Sequence, residues 1–284
     1  MKLVTDSAVD LPEEMFGQYE IERMPLLISF GHESLRSGID IQPEEFYRRL
    51  AASTDLPTTS QPSVGEFVDL YRRIGQSDKD ILSLHISSGL SGTINSARLA
   101  AQQCPDLKIT LVDTKTLSAA QGFQIVAAAQ AIRRHLPLDQ ILARIQQVAD
   151  QTEIFYTLDT LHYLQKGGRI GRVQAMAGSL LHLKPVITVD KDPGTYIRAG
   201  NTRSLAKSMV MIADLIQMKV KDYPAWVHVL HSNTLEHAHV LAELITARLP
   251  GAKITNGQIV PVLGVHVGPG CVGAACGPAD ILAA

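Results

Sequence analysis

An excess of charge of one sign is missing from this sequence: 26 Lys plus Arg stand against 28 Asp plus Glu in 284 residues, a formal charge of −2. So balanced a chain has no broad positive field to offset a phosphate backbone, which argues against nucleic-acid binding. Cysteine is scarce and odd in number (Cys104, Cys271 and Cys276), which points to a reducing, cytoplasmic setting. The opening MKLVTDS has neither the charged start nor the apolar stretch of a secretion signal, in keeping with that setting. Continuous apolar runs are missing as well. The longest uncharged stretch, residues 254–279, could span a bilayer by length, but its six Gly and three Pro make it loop and strand. Residues 116–132 are Ala- and Gln-rich and read as a buried helix, so no segment is expected in lipid.

What is present is a 45% apolar content, which excludes disorder, and a length that fits one large or two ordinary domains. Short β-branched apolar runs alternate with stretches of helical period, the pattern of strands joined by crossover helices. Strands are expected at residues 2–5, 24–30, 80–87 and 108–113, and helices at 43–52, 67–74, 94–103, 117–134 and 138–150. Asp10 with Glu13 reads as a capped helix start, and Ser63 with Glu66 repeats the signature. That order makes the first half a parallel-sheet α/β domain. After residue 150 the texture changes. A strand at 154–158, a helix at 173–183 and a hairpin of 185–189 with 196–199 come first. A helix at 205–219, a strand at 226–230, a helix at 235–249 and short strands running to His266 follow. The expected fold class is therefore α/β with two domains, 1–151 and a mixed-sheet 152–284, packed against each other.

Among the motifs, SSGLSGTINSA at residues 87–97 lies between an expected strand and an expected helix. Its glycines let the backbone turn tightly, and the amides opening the next helix point at whatever fills the crevice, an anion site. No Gly-Lys-Ser/Thr follows, so it is not a triphosphate loop, and a plain capped turn would share the composition. In PTTSQPS, residues 57–63, Thr58, Thr59, Ser60 and Ser63 cluster in a loop stiffened by two prolines, as ligand contacts or as solvated turn residues. His266 sits in VHVGPGCVG among the valines of an expected strand, as a ligand contact or a satisfied core histidine. The basic turn KGGRIGR, residues 166–172, offers Lys166, Arg169 and Arg172 to a phosphate or a partner.

Metal ligation finds no support, because His237 and His239 fall on different helix faces and Cys271 and Cys276 lack a second ligand pair. A serine hydrolase stays open. GLSGT approaches the nucleophile elbow, and Ser91, Asp113 and His266 follow one another in Ser, Asp, His order, although Thr93 stands where the elbow has glycine.

Taken together, TDSAVDLP (5–12), TSQPS (59–63), SSGLSGT (87–93), DTLHYLQKGGRIG (159–171) and HVGPGCVG (266–273) resemble the DegV family of bacterial fatty-acid-binding proteins. The resemblance implies a two-domain α/β carrier holding one long-chain fatty acid, such as hexadecanoate, between its domains. It further implies that a separate fatty acid kinase phosphorylates the presented carboxylate, and that the carrier has no cofactor, metal or catalysis of its own. The carboxylate is assigned to Thr59 (or its neighbour Thr58), to Ser91 with backbone amides near Gly92, and to His266, while Arg169 in the basic loop would engage the kinase. The tail needs a long apolar slot. Ile170, Met176, Leu180 and Leu181 are candidates, although ordinary core packing would give the same spacing.

Overall fold

The computed structural model describes residues 1–171, 173 and 183–282. The chain opens with β1 (Lys2–Asp6), α1 (Glu13–Gln18) and β2 (Ile21–Met24), followed by β3 (Leu27–Phe30), β4 (Glu33–Arg36), α2 (Pro43–Ala52) and β5 (Thr58–Ser60). Then come α3 (Val64–Gly75), β6 (Asp80–His85), α4 (Thr93–Gln102), β7 (Lys108–Asp113), α5 (Ser118–Arg133) and α6 (Leu138–Gln151). The second half runs β8 (Glu153–Thr157), α7 (His162–Lys166), β9 (Lys184–Asp190), β10 (Thr195–Thr202), α8 (Leu205–Val220) and β11 (Ala225–His231). It closes with α9 (Leu235–Arg248), β12 (Lys253–Gln258), α10 (Pro261–Val267) and β13 (Val272–Pro278).

These strands form a parallel sheet in the order β2-β1-β6-β7, a mixed sheet in the order β10-β9-β8-β13-β11-β12, and a small antiparallel sheet β4-β3-β5. The α/β class with a parallel first sheet and a mixed second sheet is as the sequence pattern implies. Helix α5 explains its own odd composition. Every residue from Ser118 to Ala131 is buried, so the helix has no wet face and needs no apolar stripe; small Ala and amide-bearing Gln fill it instead. Phe123 on α5 stacks on Trp226 of β11 with ring centroids 4.2 Å apart, joining the two halves in one core. Among the described residues, no helix is long and apolar enough to cross a membrane.

Four local expectations are corrected. Residues 24–30 are not one strand: Pro25 lies between β2 and β3, which enter different sheets. The PTTSQPS segment is not a free loop, since Thr58–Ser60 form β5 and pair antiparallel with β3. The short strands expected up to His266 end at Gln258, and His266 lies on helix α10, opened by Pro261 at its first turn. Because Pro261 through Val265 are all buried, α10 shows no helical period, and its valines imitate a strand. Asp10 does not cap α1. Pro12 precedes α1 without a side-chain cap, and the Asp10 carboxylate points elsewhere. By contrast, Ser63 and Glu66 form a complete capping box on α3. The helix expected at 173–183 falls largely on residues 174–182, outside the described residues, as do Arg172, Met176, Leu180 and Leu181.

Chain topology brings the motif loops together. TDSAVD and SSGLSGT follow β1 and β6, adjacent parallel strands, and so open on the same carboxyl edge of their sheet, where α/β proteins hold ligands. DTLHYLQKGGR follows β8, and HVGPG precedes its antiparallel neighbour β13.

Candidate functional site

Between the halves lies a small cavity that opens toward the surface. Ala8, Leu26, Ile86, Leu90, Leu117, Val262 and Leu263 make it mainly apolar, together with the ring of Tyr196. Thr59, Ser91, Arg169 and His266 supply its polar end. A wider outer groove, lined by Thr58, His162, Tyr163 and Lys166 among others, shares Thr59, Arg169 and His266 with the inner cavity. Those three side chains therefore stand where a greasy chamber meets an open, polar vestibule.

Strand alternation decides which threonine faces inward. Thr59 pairs with Ile28 of β3 and lines the cavity, whereas exposed Thr58 lines only the groove. Across 207 residues of chain, Thr59 Oγ1 and His266 Nε2 share a hydrogen bond of 2.9 Å. His266 Nδ1 is buried and has no partner among the described residues. Gly167 lies against it: a Cβ at that position would fall 2.2 Å from Nδ1. Burial, aided by the nearby Arg169 charge, pushes the imidazole down to about 4, so near neutral pH it is uncharged and works as a hydrogen-bonding group.

Arg169 is the cation of the cluster. Its Nε donates to Leu90 O at 3.1 Å and one Nη to Gly167 O at 2.7 Å, using two of its five N–H donors. These bonds pin the basic loop to the SSGLSGT loop and orient the guanidinium at the cavity mouth. Ser91 Oγ shares a 2.8 Å bond with Thr93 Oγ1 and accepts a longer one from Thr93 N. Gly92 occupies the N-cap of α4, where a Cβ would fall 2.0 Å from Gln61 Oε1. Glycine is needed there because Gln61 crosses over it to donate to Ser96 Oγ, tying TSQPS to α4. Gln61 and Gly167 escape sequence reasoning; the contacts that explain them are made only in the folded chain.

No hydrolytic triad is assembled by these groups. Ser91 bonds to Thr93, His266 to Thr59, and Asp113 Oδ1 accepts from the Ser88 and Lys115 amides, so nucleophile, base and orienter each have other partners. Among the described residues, no group of three or more His, Cys, Asp or Glu could hold a metal ion. Of the expected tail residues, Ile170 is buried in the core without lining the cavity; the apolar wall comes mostly from the first half and from α10.

The sequence profile of the DegV family matches residues 1–278. The chain belongs to the DegV family. A DegV domain-containing protein of Deinococcus radiodurans is 37% identical over 280 residues, covering 97% of this chain and 95% of that protein. The solved structure of a fatty-acid-binding DegV family protein from Thermus thermophilus superposes with a TM-score of 0.91 at 32% identity, covering 98% of this chain and 99% of that one. A stearic-acid-binding protein from Eubacterium ventriosum gives a TM-score of 0.89 at 28% identity, covering 98% of both chains. In this DegV chain, the segments that carry the resemblance are also the segments that build the cavity mouth.

Proposed function

We propose that this chain is a non-enzymatic carrier that encloses one long-chain fatty acid between domains 1–151 and 152–284 and presents its carboxylate to a fatty acid kinase. The observation that carries the reading is the apolar cavity closed by Thr59, Ser91, His266 and Arg169, at the boundary with an open groove. Fatty-acid-binding relatives of the same fold support it. In this reading the hydroxyls and the imidazole orient the carboxylate, and Arg169 supplies the charge that keeps it ionised.

The tail dominates the energy. Burying about 14 methylenes of a sixteen-carbon chain is worth roughly 11 kcal/mol gross, against about 4 to 5 kcal/mol for three head-group hydrogen bonds, before ordering and association costs. The head group therefore sets orientation more than occupancy. One carboxylate oxygen turned toward the groove is the atom a kinase would phosphorylate, and exposed Lys166 with Arg169 forms the basic rim that would receive the kinase. Solvent extraction of the purified protein followed by mass spectrometry tests the reading. A stoichiometric acyl chain supports it, and repeated absence of any, with no uptake of palmitate on titration, rejects it.

A further inference from the structure

Asp10 belongs to the TDSAVDLP segment, yet its carboxylate reaches 250 residues along the chain. It is 3% exposed, and among the described residues no cation faces it. Oδ1 accepts from the backbone N–H of Val260 at 2.8 Å, at the residue that opens α10. Oδ2 accepts from the hydroxyl of Ser118, the first residue of α5. Ser118 has φ +59, a left-handed conformation that is costly for a non-glycine residue; Ser118 N donating to Ala8 O and its hydroxyl bond to Asp10 hold it there.

Two more groups of the first half grip the same end of α10. Tyr47 OH donates to Ile259 O at 3.2 Å, and Ser37 Oγ accepts from Val262 N at 3.2 Å. Gly264, one turn further on, allows α10 to lie against α2, since a Cβ there would fall 2.5 Å from the ring of Phe46 and 2.8 Å from Tyr47 OH. The helix thus belongs by sequence to the second half and by hydrogen bonding to the first. At its far end, about 9 Å along the axis at 1.5 Å per residue, sits His266 bonded to Thr59.

We propose that Asp10 is a positioning residue for the head-group site: by fixing the start of α10 to α5 and the first half, it sets His266 in register with Thr59 across the cavity mouth. This rests on the fatty acid reading given above. A short helix held at one end by Asp10, Ser37 and Tyr47 moves as a rigid body, so loosening that end displaces the imidazole at the other. Val262 and Leu263, which line the cavity, move with it, but their displacement matters less to binding, because an apolar wall tolerates small displacements that a hydrogen bond does not.

The test compares head-group selectivity, which a merely structural role would leave alone. Affinities for palmitate and for 1-hexadecanol, of equal chain length, are measured by titration in the wild type, Asp10→Asn and Asp10→Ala, alongside the ¹⁵N shift of His266 Nε2. The wild type should prefer the acid. Asp10→Asn keeps an oxygen for Val260 N and an amide for Ser118, and should retain both the preference and the shift. Asp10→Ala should lose about tenfold of the preference and move the shift, with the alcohol affinity within about twofold of wild type. Should Asp10→Ala fail to fold, Ser37→Ala removes another clamp on α10 and should lower the preference about threefold. A wild type that does not bind palmitate overturns the site reading itself. A wild type that discriminates, beside a folded Asp10→Ala or Ser37→Ala that discriminates equally, overturns the clamp alone.

Discussion

Thr59 and His266, 207 residues apart, meet at 2.9 Å across the mouth of an apolar cavity, one carried by an edge strand of the first half and the other by a helix of the second. The bond locks the two halves at the point where a ligand head group would enter, and the first prediction follows from its loss. Thr59→Val keeps the shape and removes the hydroxyl. Palmitate affinity measured by calorimetry should fall about five- to tenfold, the value of one hydrogen bond of about 1 to 1.5 kcal/mol. The melting temperature should stay within a few degrees of wild type. An unchanged affinity would show that the hydroxyl does not serve the ligand.

Gly167 offers a second test that removes no polar group. Its missing side chain leaves room for His266 Nδ1, and Gly167→Ala forces the imidazole away from a Cβ that would otherwise stand 2.2 Å from it. Head-group binding should weaken at least as much as in Thr59→Val, with the apolar alcohol little affected. Equal loss for acid and alcohol would mean that the substitution simply distorts the cavity.

The third prediction concerns pH. Burial holds the free His266 imidazole at about 4. A carboxylate placed beside it favours the charged form and must raise that value, so near pH 6, where the free acid is already largely ionised, the complex takes up protons that the free protein does not. Titrations in buffers of different ionisation heat should report net proton uptake with palmitate and none with hexadecanol. Zero uptake with palmitate would place the carboxylate away from His266.

Asp10 titrates in the opposite sense. Burial raises its carboxyl from 3.8 to about 6, so the folded state binds the proton more tightly than the unfolded chain does. Its contribution to stability is present in full below pH 3.8 and is lost as pH rises through 6, an effect of about 3 kcal/mol. Denaturant curves of wild type and Asp10→Asn should therefore diverge between pH 4 and pH 6, the wild type losing stability relative to the variant as pH rises. Parallel curves would mean that the carboxyl titrates normally.

Lys166 separates binding from presentation. It is exposed and lines the outer groove without reaching the inner cavity. Lys166→Glu should leave palmitate affinity unchanged and reduce acyl phosphate formation with a fatty acid kinase by about tenfold or more, since a charge reversal at a docking rim acts on encounter. Undiminished transfer would move the docking surface elsewhere.

Where local signals agree with the fold, the chain is readable from its letters alone. Helix α2 begins and ends where the periodicity places it, β7 likewise, and the Ser63–Glu66 capping box is visible as spacing before it is visible as hydrogen bonds. Thr59, Ser91, Arg169 and His266 are all brought to one cavity, but family resemblance, not spacing, singled them out. The rest depends on contacts between distant segments. Strand β4 is ESLR, mostly wet, with no alternation to betray it. Helix α10 hides because its apolar residues are buried on nearly every side, against α2, β3 and β5 of the first half and α7 of the second, which erases the 3.6-residue period. Asp10 reads as a cap because Glu13 follows at the right distance; only the fold brings Val260 and Ser118 within its reach.

The central claim is that an acyl carboxylate sits among Thr59, Ser91, Arg169 and His266. Carbon-13 NMR of palmitate labelled at its carboxyl carbon examines that atom directly. A narrow bound resonance at one-to-one stoichiometry, resisting protonation to lower pH than the free acid and shifted by Thr59→Val, is the predicted result. A spectrum showing only free or micellar palmitate, or a bound signal that titrates like the free acid and ignores Thr59→Val, would contradict it.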